Sequence, residues 1–298
     1  MNQLPQNRAV AGALFMVLAG ITFAVINAIT FVITAQLGFK PQSDTFWQYA
    51  IALLFSLPFL YRFGKSGLKT QQPLLHAARV VLSALGLQAF VMALSRGVPV
   101  WQVVALTMTA PFFVLVGAKL FLRETVSINR WIASLVGFAG ALIVTNPWSE
   151  QFSLAWLLPV VAAIFWGGAS LLTKYLSRSE TPESLTVWLL LLLTPINLVL
   201  SLGAGFEVPQ GNVLWLLIIG GLLVFVAQYL LSKSYASADA NFVQPFDDLK
   251  LISNVLVYGI FFGYWPSGYI WLGLAMIMGA SIFLLLQENK KQQALQTA

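Results

Sequence analysis

Two carboxylates, a lysine and several amides stand in a row inside an apolar run: Asn241-Phe-Val-Gln-Pro-Phe-Asp-Asp-Leu-Lys250-Leu-Ile-Ser-Asn254. The flanking residues would suit a helix in lipid. A charge at that depth costs roughly 2.5–3.5 kcal/mol on insertion scales, so such groups face a bundle interior or a wet cavity. Two chemistries are open to adjacent carboxylates. Aspartyl catalysis needs both to converge on one bond, yet on a regular helix Asp247 and Asp248 diverge by about 100°. Binding a polar solute, or a proton, needs no such convergence.

The helical arrangement favours binding. Gln244, Lys250, Asn254 and Tyr258 fall on the same half of the helix as Asp247, and Asn241 and Asp248 lie at its margin, when residues advance about 100° each. Asp247 and Lys250, three apart, can pair. Asp248 points away from that lysine, which makes it the candidate protonatable or substrate-binding group. Pro245 removes a helix hydrogen bond and releases the carbonyl of Asn241. Further polar candidates at membrane depth are Asn27, which shares a face with Thr30 and Thr34, and Gln88. Trp166 and Phe23 offer flat faces for stacking or for packing. Arg79, early in its span, suits either a cap over a cavity or a plain cytoplasmic charge. Gly259 and Gly263 form a GxxxG, a close-packing pattern.

These residues require a membrane scaffold. Of 298 residues, 59% are hydrophobic and only 9% charged, against about 25% charged in soluble domains. The apolar runs are near the length that an α-helix needs to cross about 30 Å of hydrocarbon. A β-barrel would alternate in segments of about ten residues. The sequence therefore predicts an all-α integral membrane protein with ten spans, at 9–35, 43–62, 74–95, 100–121, 128–146, 153–177, 183–203, 211–235, 239–263 and 266–287. The net charge of +6 follows from basic cytoplasmic loops rather than from a nucleic-acid partner. With a cytoplasmic N-terminus, only Lys40 and Arg96 of the 16 basic residues fall outside, and Lys119 and Lys250 lie within spans. All the others, from Arg8 to Lys291, fall inside, so both termini are expected in the cytoplasm of a bacterial plasma (inner) membrane.

The halves echo one another. Arg123-Glu124 through Arg130-Trp131 precedes a Gly-containing helix with Gly137 and Gly140. Tyr264 through Trp271 precedes one with Gly273 and Gly279. Phe23-Ala24 answers Trp166-Gly167. Five spans per half is an odd number, so the second half, 149–298, enters inverted relative to the first, 1–148. Transporters use such repeats, with the substrate near the midplane.

Several stretches resemble the EamA branch of the drug/metabolite transporter superfamily: Ala105-Leu-Thr-Met-Thr-Ala-Pro111-Phe-Phe-Val, Leu120-Phe-Leu-Arg-Glu124, Arg130-Trp131 with Val136-Gly-Phe-Ala-Gly140, Phe165-Trp-Gly167 and Val243-Gln-Pro245-Phe. The resemblance implies ten helices, two EamA-like repeats, a central cavity and secondary transport of small organic metabolites, often export. The family's second repeat often carries an acidic residue where this chain has Tyr264, and Asp247, Asp248 and Lys250 are denser in charge than a neutral cavity.

Other classes find little support. No GxxxxGK[ST] phosphate loop is present. Cysteine is absent and His76 is the single histidine, so no metal, cofactor or catalytic set is expected. The expectation is an alternating-access carrier of a small metabolite, with export placed first. An importer or facilitator of a vitamin-like or nucleoside-like compound, for example a flavin, is the alternative, as is a flippase for lipid-linked substrates. Protons are the candidate coupling ion, and membrane lipids the expected surroundings.

Overall fold

The computed structural model describes residues 6–63, 70–96, 100–145, 154–247, 249–263, 265 and 268–296. Their regular structure is helical. In chain order the α-helices are α1 (Gln6–Phe31), α2 (Pro41–Phe63), α3 (Pro73–Ser95), α4 (Val100–Thr107), α5 (Ala110–Leu120), α6 (Ile128–Thr145), α7 (Leu158–Leu176), α8 (Pro182–Gly203), α9 (Gly211–Ser237), α10 (Ala240–Asp247), α11 (Leu249–Phe262) and α12 (Ile270–Gln296). A π-helical turn, Val32–Gln36, extends α1.

Local chemistry sets many of these ends. Pro41, Pro73 and Pro182 open α2, α3 and α8, a position where the missing N–H would have no helical partner. Thr181 caps α8 by accepting from the Ser184 N–H at 3.2 Å. At the other end of α9 the buried Lys174 Nζ donates to the carbonyls of Ala238 (2.7 Å) and Tyr235 (3.1 Å). A cation there also suits the helix dipole.

One expected span is a pair of helices. The run 100–121 is divided at Met108 and Thr109, just before Pro111. Hydropathy follows the apolar surface and not the backbone bonds, so it reads through that division. The GxxxG expectation also needs correction. Gly259 gives way to the indole of Trp265, which a Cβ would meet at 2.7 Å, and Gly263, at φ +71°, ends α11. Neither glycine shows a close helix–helix crossing.

Polarity is arranged inside out. Leu14, Leu18, Leu54, Leu85, Leu135, Val199, Trp215, Ile260 and Leu272 are exposed, whereas Gln48, Arg79, Thr107, Asn197, Gln228, Gln244 and Asn254 are buried. An apolar exterior around a polar interior is stable only where lipid replaces water. Among the described residues, five helical stretches are long and apolar enough to cross a membrane: Arg8–Gln36, Pro73–Ala93, Leu158–Leu176, Pro182–Gly203 and Gly211–Ser237.

The packing is patterned. α1 lies along α9, and α7 along α3; α1 also touches α10 and α11, and α7 touches α4 and α5. α2 packs on α8 and α6 on α12. Exchanging each of α1–α6 with the helix six places later maps these contacts onto one another. The contacts of α10 with α5 and of α8 with α9 have no counterparts among the larger ones.

Candidate functional site

The polar stripe lies where α10 and α11 meet α1 and α9. Close approach there depends on Gly20, where a Cβ would stand 3.1 Å from the Lys250 Cβ. The Lys250 Nζ donates to Asp247 Oδ2 at 2.5 Å, with about a fifth of the lysine side chain and less of the aspartate exposed. Gln244 Nε2 reaches the same oxygen at 3.5 Å, and the buried Tyr235 hydroxyl donates to Gln244 Oε1. On the next turn Asn254 Nδ2 donates to the Lys250 carbonyl at 2.7 Å, while its Oδ1 accepts from Asn27 Nδ2 at 3.0 Å. The Tyr258 hydroxyl donates to the Asn27 carbonyl at 3.3 Å. Phe31 and Phe262 flank the Tyr258 ring.

One connected set of donors and acceptors thus joins six of the expected residues: Gln244, Asp247, Lys250, Asn254, Tyr258 and Asn27. Asp248 lies outside the described residues, as does Tyr264. Trp166 sits elsewhere, in the α3–α7 contact. Its Nε1 donates to the Ser83 carbonyl at 3.3 Å, its ring lies 5.6 Å from Phe90, and Gly86 leaves it room. Phe90 in turn packs on the cluster that contains Leu251, next to Lys250 in sequence. Gln88 is separate. It lines a small cleft of α2, α3 and α8 with Pro41, Thr45, Val91 and Asn197.

Chemically, the connected set offers a carboxylate, an ammonium, three primary amides and a phenol in a largely buried setting. It can exchange its internal hydrogen bonds for those of a polyhydroxylated or amide-bearing solute. It contains no activated nucleophile.

Two further polar clusters gather residues outside the stripe. Buried Asp44 and Gln48 on α2 join Thr30 of α1, with Gln48 Nε2 2.8 Å from both Asp44 Oδ1 and Thr30 Oγ1. Near the start of α3, His76 Nε2 lies 3.6 Å from Glu180 Oε1, and the buried Arg79 donates to the Leu185 carbonyl at 2.6 Å. Arg79 therefore ties α3 to α8 rather than serving as a plain loop charge. Burial works to raise the Glu180 pKa. Hydrogen bonds from Ser184 and Thr70 and the neighbouring His76 outweigh it and hold the carboxyl below its ordinary value.

An apolar-sheathed helical assembly with a buried, non-catalytic polar set defines a multi-pass membrane protein of the solute-transport class. The EamA-like transporter family profile matches residues 12–146 and 153–286, and the chain belongs to that family. It is a transporter and not an enzyme.

The chain is 53% identical to a riboflavin transporter of Rhizobium johnstonii, covering 96% of this chain and 95% of the relative. It is 44% identical to a riboflavin transporter of Vibrio cholerae, covering 97% of each. An S-adenosylmethionine uptake transporter of Rickettsia bellii is 27% identical over 82% of this chain and 84% of its own. A solved crystal structure with 15% identity superposes with a TM-score of 0.77, covering 95% of this chain and 98% of that one. That likeness concerns the fold.

Proposed function

We propose that this chain carries riboflavin, or a closely similar flavin, into the bacterial cell across the inner membrane by alternating access. The observation that carries this reading is the 53% identity to a riboflavin transporter over nearly the full length of both chains. Uptake takes the place of the export placed first on sequence; the S-adenosylmethionine relative is named for uptake. In this reading ten spans form two inverted repeats, 1–148 and 149–298. The two profile matches and the exchange pattern of the helix contacts support that division.

The chemistry of the solute suits the site. A flavin joins a flat heteroaromatic ring to a chain of hydroxyls. Asp247 accepts from hydroxyls, and Lys250, Asn27 and Asn254 donate to hydroxyl or ring oxygens. Trp166 and Phe90 offer aromatic faces on the α3–α7 side. S-adenosylmethionine is the second reading. Its sulfonium would favour an unpaired carboxylate, whereas Asp247 is already paired with Lys250.

Purified protein in proteoliposomes should take up labelled riboflavin saturably and exchange it with unlabelled riboflavin inside. S-adenosylmethionine should compete poorly. If riboflavin does not move while the Rhizobium johnstonii relative transports it in the same vesicles, the flavin reading is wrong.

A further inference from the structure

We propose that Asp44 is a proton-binding site of the transport cycle, loaded from the outer compartment as that end of the molecule closes. The inference rests on the transport reading above. Asp44 is 1% exposed. Ion pairs such as Lys40–Glu207, His76–Glu180, Lys174–Asp239 and Lys250–Asp247 neutralise other buried or half-buried charges, and among the described residues none includes Asp44. A buried carboxylate without a cation is costly as an anion and much less so as an acid. The first turn of α2 offsets part of that cost through the helix dipole. The group is thus poised between its two forms.

The surroundings favour this role over a purely structural one. From α1, the uncharged Thr30 accepts from the Gln48 amide at 2.8 Å. From α8 comes Ser201, whose hydroxyl is 2.9 Å from that of Ser43. From α9, Gly220 closes over the Gln48 amide, with a Cβ position 3.3 Å from its Cδ. The nearby charged groups are Lys40 and Glu207, which are engaged with each other and with backbone: Lys40 Nζ donates to the Gly205 carbonyl at 2.8 Å, and the Lys40 N–H donates to Glu207 Oε2 at 2.8 Å. Among the described residues, no cation is left over to neutralise Asp44 when the end is shut.

Closure and protonation are therefore linked. When α1, α2, α8 and α9 part at this end, Asp44 meets water and ionises freely. When they close, burial favours the acid form, and one proton from outer water adds to the carboxylate to give the carboxylic acid. The same event reaches the solute site. The Gln48 amide holds Asp44 and Thr30 together, and Asn27, one helical turn from Thr30, holds Asn254. Loss of the carboxylate charge weakens the charge-assisted bond from Gln48 and so alters the hold of α2 on the helix that carries Asn27.

The test uses the full chain in proteoliposomes, with Asp44→Asn as the near-isosteric variant and Asp44→Glu as the conservative one. Infrared difference spectra between alkaline and acid buffer, taken without solute, should show a carboxylic-acid carbonyl band that Asp44→Asn removes and Asp44→Glu restores at a shifted position. Riboflavin exchange by the wild type should slow as outer pH rises, by up to about tenfold per pH unit, the limit for one proton. Asp44→Asn should still exchange riboflavin, at a rate independent of outer pH. A wild-type pH profile in Asp44→Asn would overturn the proposal, and so would an infrared band unchanged by that substitution. If the band behaves as expected but riboflavin is not exchanged by any form, the flavin reading fails and the proton site stands.

Discussion

At the scale of single residues, the Asp247–Lys250 pair separates binding from simple stapling. Removing one partner of a buried pair strands the other charge and costs about 3–5 kcal/mol, while replacing both with apolar groups of similar size is often near neutral. Asp247→Ala and Lys250→Ala should each lower the amount of folded protein. Combining Asp247→Leu with Lys250→Met should recover folding in detergent, read by thermal unfolding, yet abolish riboflavin exchange. Full exchange by the double variant would make the pair structural only. Asn27→Ala should be milder for the fold, since hydrogen bonds between membrane helices average only about 0.6 kcal/mol, but should raise the riboflavin concentration needed for half-maximal exchange. The stripe on α10 and α11 was legible because its charges interrupt an apolar run. Asp44 was not, because a carboxylate just after Lys40-Pro41 reads as the polar edge of a span. Its burial is set by α8 and α9, more than 150 residues later in the chain, as the Ser43–Ser201 contact illustrates.

At the scale of elements, the junction of α3, α7 and α8 carries a pH dependence with a definite sign. The folded pKa of Glu180 is depressed. Its stabilising contribution is therefore complete above the ordinary carboxyl value of 4.5 and is lost as pH falls through the lower folded value. Thermal unfolding in detergent should show wild-type stability declining on acidification below that range, and Glu180→Gln should decline less steeply. Equal slopes would remove Glu180 from the junction's energetics. The α6–α12 contact has a steric limit. A Cβ on Gly140 would sit 2.7 Å from the Gly273 carbonyl oxygen, and backbone cannot yield as a side-chain tip can. Gly140→Ala should cost about 1–3 kcal/mol of stability, the usual range for overpacking, seen as a lowered unfolding midpoint. Helix existence was legible from apolar runs of suitable length. The division at Met108–Thr109 was not, because the residues on either side are as apolar as those within a continuous helix.

At the scale of the whole molecule, one pattern bears on the repeats and another on the orientation. Most of the larger helix contacts exchange when α1–α6 are swapped with α7–α12, which supports the proposed two-repeat division. The basic residues crowd onto one side of the ten-span reading, leaving Lys40 and Arg96 on the other, and lysine and arginine gather on the cytoplasmic side of membrane proteins. In that ten-span reading an even number of crossings would place both termini together, and the basic side would make that place the cytoplasm. The same reading puts Lys40, Asp44 and Glu207 at the outer end, where Asp44 must be to load its proton from outside. A reporter active only in the cytoplasm should therefore be active when fused after Ala298 and silent when inserted at Gln210, an exposed position just before α9. A reporter active only outside should give the reverse. Equal activity at both positions would break the ten-span arrangement. Reversed activities would keep the repeats but turn the molecule over, placing Asp44 on the cytoplasmic side.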